Sequence, residues 1–181
     1  MKGTKRMLAV AVTALVVTLA GCSGTPKAPD VKANIRSALD EAALKDVSVA
    51  QDRDKGVITL DGHVASDSEK VQAESIARSF ASGQVVANQI AVLPPGSQGV
   101  AKRINSDLDN AIEKNLDAAL LQNSLHDNVK YDVTNGVVTL TGEVNSEEKR
   151  NAVQVIASHV PNVEQVVNKI DVPNQRATST R

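Results

Sequence analysis

"GVVTLTGEV" occupies Gly136–Val144, and "GVITLDGHV" occupies Gly56–Val64, the same phrase 80 residues earlier. Working outward gives a gapless match of residues 56–92 with 136–172, in which 13 of 37 positions are identical. The identities include Gly56/Gly136, Leu60/Leu140, Gly62/Gly142, Ile76/Ile156, Asn88/Asn168 and Val92/Val172. Self-similarity at one fixed offset is the signature of a duplicated structural unit. Whatever one copy folds into, the chain holds twice.

Each copy carries the same periodicities. In the second, Val129, Tyr131 and Val133 alternate with polar residues, and Asn135-Gly136 supplies a two-residue hairpin turn. Val138, Leu140 and Val144 then fall on one face of a strand, with Val137, Thr139 and Thr141 on the other. The first copy repeats this with Val47 and Val49, a "DKG" turn, and Ile58, Leu60 and Val64. A helix follows. Ser66 and Glu69 form a capping box, and Ala73, Ile76, Ala77 and Phe80 recur at helical spacing, matched by Val153, Ile156, Ala157 and Val160. Glu147 and Glu148 stand where the helix dipole favours negative charge. Last comes an alternating strand, Val86, Asn88, Ile90 and Val92, repeated as Val166, Asn168, Ile170 and Val172.

An amphipathic helix with Ile35, Ala38, Leu39 and Ala42 precedes the first hairpin, with Asp30 as N-cap. The expected fold class is therefore α+β: two tandem α-β-β-α-β units, each a three-stranded mixed sheet with two helices on one face. The polar alternation predicts that the opposite face is wet or docked. The expected boundaries are an export segment at 1–21, a tether at 22–30, domain 1 at 31–93, a linker at 94–100, domain 2 at 101–173, and a disordered polar tail at 174–181.

Lys2, Lys5 and Arg6 precede an apolar run, Met7–Ala20. The run falls short of the roughly 20 residues a membrane span needs and fits an export signal. It ends in Leu19, Ala20, Gly21 and Cys22, which resembles the lipobox of bacterial lipoproteins. The resemblance implies acylation of Cys22 and a membrane anchor. Ser23 after the Cys leans toward the outer membrane, on its periplasmic face, with inner-membrane retention as the open alternative. The Gly-strand-Gly phrase followed by "V.N.I.V" resembles the BON domain family in both copies. With the lipobox, the chain is similar to dual-BON outer-membrane lipoproteins, which implies a role in envelope integrity under osmotic or membrane stress.

Composition narrows the chemistry. One Cys and three His, His63, His126 and His159, leave no metal-ligand cluster and no need for a cofactor. None of the three His has a His counterpart in the other copy, and no nucleophile motif appears, so no enzymatic activity is expected. Without the export segment, 17 Lys and Arg face 21 Asp and Glu, a net of −4. A basic patch for nucleic acid is lacking. Gly62 and Gly142 stand where close backbone approach or positive φ is needed, and the amides of Asn88 and Asn168 are expected to satisfy buried backbone groups.

The copies diverge at their first helix. In "VAKRINSDLDNAIEKNLDAALLQ", Val100–Gln122, either Ile104 and Leu108 or Ile112 and Leu116 can match Ile35 and Leu39. The surplus turns must pack on the other domain, on a partner or on lipid. Lys102 and Arg103, placed at the helix start, suggest an anionic phospholipid headgroup held by free N–H groups and two cations, with Ile104 and Leu108 in contact with lipid. The competing expectation is an envelope-protein adaptor that uses the open sheet edges and the open sheet face, including Val57, Val137 and Val167.

Overall fold

The computed structural model describes residues 26–172 and the backbone of 178–180. The export segment, the lipobox and Cys22 lie outside the described residues. The first unit runs α1 (Lys32–Glu41), β1 (Val47–Asp52), β2 (Val57–Val64), α2 (Asp67–Phe80), β3 (Val85–Asn88) and β4 (Ala91–Val92). The second runs α3 (Gln98–Gln122), β5 (Val129–Thr134), β6 (Val137–Gly142), α4 (Glu147–Ser158), β7 (Gln165–Asn168) and β8 (Thr178–Thr180).

In each unit the hairpin is antiparallel, and the helix after it crosses over to a parallel third strand, giving β1-β2-β3 and β5-β6-β7. One sheet face meets the helices. Ile35, Leu39, Ile58, Leu60, Ala73, Ala77 and Ile90 fill the first core, all fully buried. Ile112, Leu116, Val138, Leu140, Val153, Ala157 and Ile170 fill the second. Ile112 and Leu116 thus take the places of Ile35 and Leu39, which settles the open alignment and leaves three N-terminal turns of α3 outside the repeat.

Helix ends follow their sequence signals closely. The Ser66 hydroxyl accepts from Glu69 N at 3.4 Å, and the Glu69 carboxylate returns to Ala65 N at 2.8 Å. Ser146 accepts from Lys149 N. The Glu148 carboxyl is held below its ordinary value, first by its own backbone N–H and then by Ser146. Asp30 accepts from Lys32 N, but the N-cap residue of α1 is Val31, one position later than expected.

Three expectations need correction. The last strand of each unit is not continuous: the Asn88 side-chain oxygen accepts from Ile90 N, and Asn168 does the same with Ile170 N, bending the chain after each Asn. The tail is not wholly frayed, because Thr178–Thr180 adds antiparallel to β7. β7 otherwise ends the sheet, and its unpaired backbone groups take a partner wherever a β-branched segment reaches them. The tether is shorter than 22–30. Ala28 is buried, its N–H donates to Arg53 O at 2.9 Å, and Gln51 Nε2 donates to Pro29 O at 2.7 Å.

The sheet faces away from the helices are docked. Val57, Ala87, Val137 and Val167 form one buried cluster between the units, with Val85 against it. These are two residues and their counterparts at the repeat offset, so the units meet face to face through equivalent surfaces. Each hairpin reaches the segment after the last strand of the other unit. Lys55 pairs with Asp171 and Lys169 with Asp52, while Asn135 Nδ2 donates to Gln89 O and Gln89 Nε2 to Thr139 Oγ1. Lys70 pairs with Glu164 at 3.1 Å. Burying a Val contributes roughly 1.5–3 kcal/mol, against about 0–1 for an exposed ion pair, so the apolar cluster dominates the docking.

Val167→Asp should therefore separate the units while leaving each helix-backed core folded. Limited proteolysis should cut within Leu93–Gly99 many times faster than in the wild type, with the far-ultraviolet dichroism little changed. An unchanged cleavage rate would place the docking energy elsewhere.

Candidate functional site

α3 has 25 residues where α1 has 10. Its C-terminal half covers the second core. Its N-terminal half is held by Asp109, whose carboxylate accepts from Asn135 N and Gly136 N, both at 2.9 Å. That clamp ties the helix to the β5–β6 turn, and Asn105 Nδ2 adds a bond to the Asn135 side-chain oxygen at 3.2 Å. This role of Asp109 was not among the expectations from the sequence. A carboxylate one turn before the first buried Ile, facing an Asn-Gly turn, was the available signal.

Clamped on that side, α3 turns its other side to solvent. Val100, Ile104 and Leu108 are 51%, 53% and 42% exposed and stand at successive i+4 positions. They form one row of about 12 Å at 1.5 Å per residue. Further along, Ala119 joins Val155, Ile156, Val160 and Pro161 in an open, mostly apolar hollow of about 580 Å³ between α3 and α4. Isolated exposed apolar residues are ordinary, whereas an aligned row running toward such a hollow is a candidate contact surface.

Lys102 and Arg103 are exposed on the same helix. With 3.6 residues per turn, Lys102 stands about 160° round the helix from Ile104 and lines the groove of His63 and Asp109, so of the two only Arg103 lies on the row's side. Neither cation stands at the helix start. α3 begins at Gln98, and the N–H groups of Val100 and Ala101 already bond to Ser97 O. The combination of free N–H groups with two cations at one helix end is therefore not formed. The two cations act as side chains alone, Arg103 on the row's flank and Lys102 across the Asn105–Asp109 clamp from it.

The repeat residues are structural in geometry. Gly62 and Gly142 have φ of +110° and +119°, and a Cβ on either would overlap the carbonyl oxygen of Asp46 or Asn128. Gly56 and Gly136 close the two hairpins. The Asn88 amide donates to Lys70 O and to Glu74 Oε2, and the Asn168 amide to Arg150 O and Gln154 Oε1. Both side chains tie a buried helix to a bent strand.

The histidines do not converge. His126 Nε2 lies 3.0 Å from Asp117, His159 Nδ1 contacts Val155 O, and His63 lines a groove beside Lys102. Among the described residues no cluster of three or more His, Cys, Asp or Glu is placed to hold a metal. Tyr131 donates to Asp117 at 3.0 Å. Burial first, then Asp117, pushes its phenol up to about 12, which opposes any nucleophilic role for it.

Two α-β-β-α-β units docked through their sheets, with a clamped and extended helix at the start of the second, define a tandem two-unit α+β module. The BON domain profile matches residues 27–94 and 108–174, and the chain belongs to the BON domain family. The osmotically-inducible protein Y of Escherichia coli (strain K12) is 27% identical over 143 residues, covering 77% of this chain and 70% of that protein. Among solved structures, the C-terminal domain of CdsD, the structural protein of the type III secretion system of Chlamydia trachomatis, aligns with TM-score 0.31 at 18% identity. That alignment covers 78% of this chain and 64% of that one, somewhat under two thirds of its length. A second CdsD structure aligns with TM-score 0.35 at 15% identity, covering 80% and 92%.

Tyr131 is the chain's one tyrosine, so ultraviolet titration of tyrosinate reads it alone. The folded chain favours the neutral phenol. Its stabilisation is full below the unfolded value near 10 and is lost as pH rises toward about 12. Asp117→Asn should move the folded titration part of the way down, since burial remains. A wild-type midpoint near 10 would contradict the Tyr131–Asp117 contact.

Proposed function

We propose that this chain is a non-enzymatic, lipid-anchored protein of the bacterial envelope, held by acylated Cys22 on the periplasmic face of the outer membrane. Its docked BON domains present the outer side of α3 to an anionic phospholipid surface and support envelope integrity or osmotic-stress tolerance. The stress assignment draws on the name of the Escherichia coli relative. The observation that carries the membrane reading is the exposed row of Val100, Ile104 and Leu108, with the exposed cation Arg103 on its flank.

The physical terms favour a weak, anchor-dependent contact. No helix of the described residues is long and apolar enough to cross a membrane. An amphipathic helix face gains affinity from its buried apolar area plus roughly 1 kcal/mol per cation near an anionic surface. One flanking cation and three aliphatic side chains give only modest affinity in free solution. The anchor changes that. Ala28 is already fixed to the first unit, so the chain from Cys22 to Ala28 reaches about 20 Å at most. At that range the local lipid concentration is high, and a weak contact stays occupied.

The competing adaptor reading relied on open sheet edges and on an open sheet face. That face is consumed by the docking of the two units, through Val57, Ala87, Val137 and Val167.

The mature chain from residue 23 should co-sediment with vesicles of phosphatidylglycerol and phosphatidylethanolamine, and less with purely zwitterionic ones. Ile104→Asp with Leu108→Asp should cut the bound fraction by about tenfold, and Lys102→Glu with Arg103→Glu should remove the anionic preference. Binding indifferent to all four changes would refute the α3 surface. For the anchor, labelled palmitate should enter the wild-type chain in cells and be absent from Cys22→Ala.

A further inference from the structure

β7 and β3 are equivalent strands, but their outer edges are treated differently. On β7 the edge is filled by a strand: Val166, Val167 and Asn168 pair with Thr180, Ser179 and Thr178. On β3 the inward groups are used by β2, since Val85 N donates to Gly56 O and Gln89 N to Leu60 O. The outward groups of Val86 and Asn88 meet no strand. They meet one side-chain amide from the second unit. Gln165 Nε2 donates to Val86 O at 2.8 Å, and Gln165 Oε1 accepts from Asn88 N at 3.2 Å. An amide that donates to the carbonyl of residue i and accepts from the N–H of residue i+2 on a strand edge takes the place of the N–H and C=O of one residue of a neighbouring strand. The residue equivalent to Gln165 in the first unit is Val85, which cannot do this.

Beside that edge lies a cavity of about 310 Å³ between α2, β3 and the start of β7. Asp67, Lys70, Glu74, Asn88, Glu164 and Gln165 contribute to its wall. In the second unit the matching edge, that of β7, is where β8 pairs. The chain therefore contains two equivalent strand-accepting edges and one tail.

We propose that the groove between α2 and the β3 edge is a binding site for an extended, basic segment of a partner protein, which adds to β3 as β8 adds to β7. Backbone hydrogen bonds from a strand edge give such peptides affinity, and the flanking side chains give them selectivity. Asp67, Glu74 and Glu164 line the groove; Glu164 pairs with Lys70 and Glu74 with Arg78, so Asp67 is the carboxylate placed to meet an incoming charge. A cationic residue flanking the added strand next to Asp67 is thus the complementary chemistry. The chain's own tail has this composition, with Arg176 and Arg181 on either side of Thr178–Thr180. Gln165 is the gate. It satisfies the edge while the groove is empty and leaves when a peptide backbone replaces its two hydrogen bonds.

The test uses a synthetic peptide copying residues 173–181, titrated onto the nitrogen-labelled mature chain and followed by amide shifts. Saturable shifts at Val86, Asn88 and the first turns of α2 are expected, lost with a peptide carrying Pro in place of Thr178 and Thr180. Gln165→Val, which installs the residue type of the equivalent position, should tighten binding at least threefold, and Asp67→Lys should weaken it. Shifts confined to β7 and β8 would mean exchange with the chain's own tail and would overturn the proposal, as would the absence of saturation. Concentration-dependent dimerisation without peptide, abolished by removing residues 178–181, would give the groove to a second copy and not to a partner.

Discussion

Contact between two sheet faces, made by Val57, Ala87, Val137 and Val167, is the constraint on which the arrangement depends. A three-stranded sheet with helices on one side only leaves its other side to water, and small units of this kind are marginal alone. Duplication solves the problem with the same residues twice. Each unit covers the other, and the hydrophobic term exceeds what the exposed ion pairs at the rim supply. Once the sheets are committed to each other, the surfaces left for partners are helices, edges and the chain ends.

The two units then diverge where they no longer need to be alike. Asn88 and Asn168 keep one job, joining a helix carbonyl to a bent strand, and both are buried with their amides bonded. Gly62 and Gly142 keep another, since any side chain there would strike the backbone of the preceding loop. The differences lie elsewhere. α3 is extended and clamped by Asp109, and one sheet edge is filled by β8 while the other is closed by Gln165. The shared positions hold the fold, and the unshared ones set out the surfaces on which the proposed lipid and peptide contacts rest.

Much of this is visible in the amino-acid order because it is periodic. The alternation around Leu60 and Leu140, the capping serines and the apolar helix positions each specify a local conformation, and the repeat supplies two readings of every element. The extent of the third strands was misjudged because an alternating pattern does not reveal a side chain that bonds two residues ahead, as Asn88 does to Ile90 N. The short tail strand was missed because three Thr and Ser residues carry no hydrophobic signal, and the pairing depends on an edge formed far away in sequence. Likewise, whether Ile104 or Ile112 entered the core could not follow from period alone. Both lie on the drifting stripe of one helix, and the Asp109 clamp decides which half is covered.

Zero-length carbodiimide coupling of the intact chain, followed by peptide mass spectrometry, tests the docked arrangement most directly. Lys70 and Glu164 lie 3.1 Å apart across the two units, with Lys169 and Asp52 3.4 Å apart beside them. Both pairs should appear as cross-unit products at high yield in dilute protein. Recovery of within-unit products alone, such as Lys27 with Asp54, would show that the sheets do not face each other and would contradict the account.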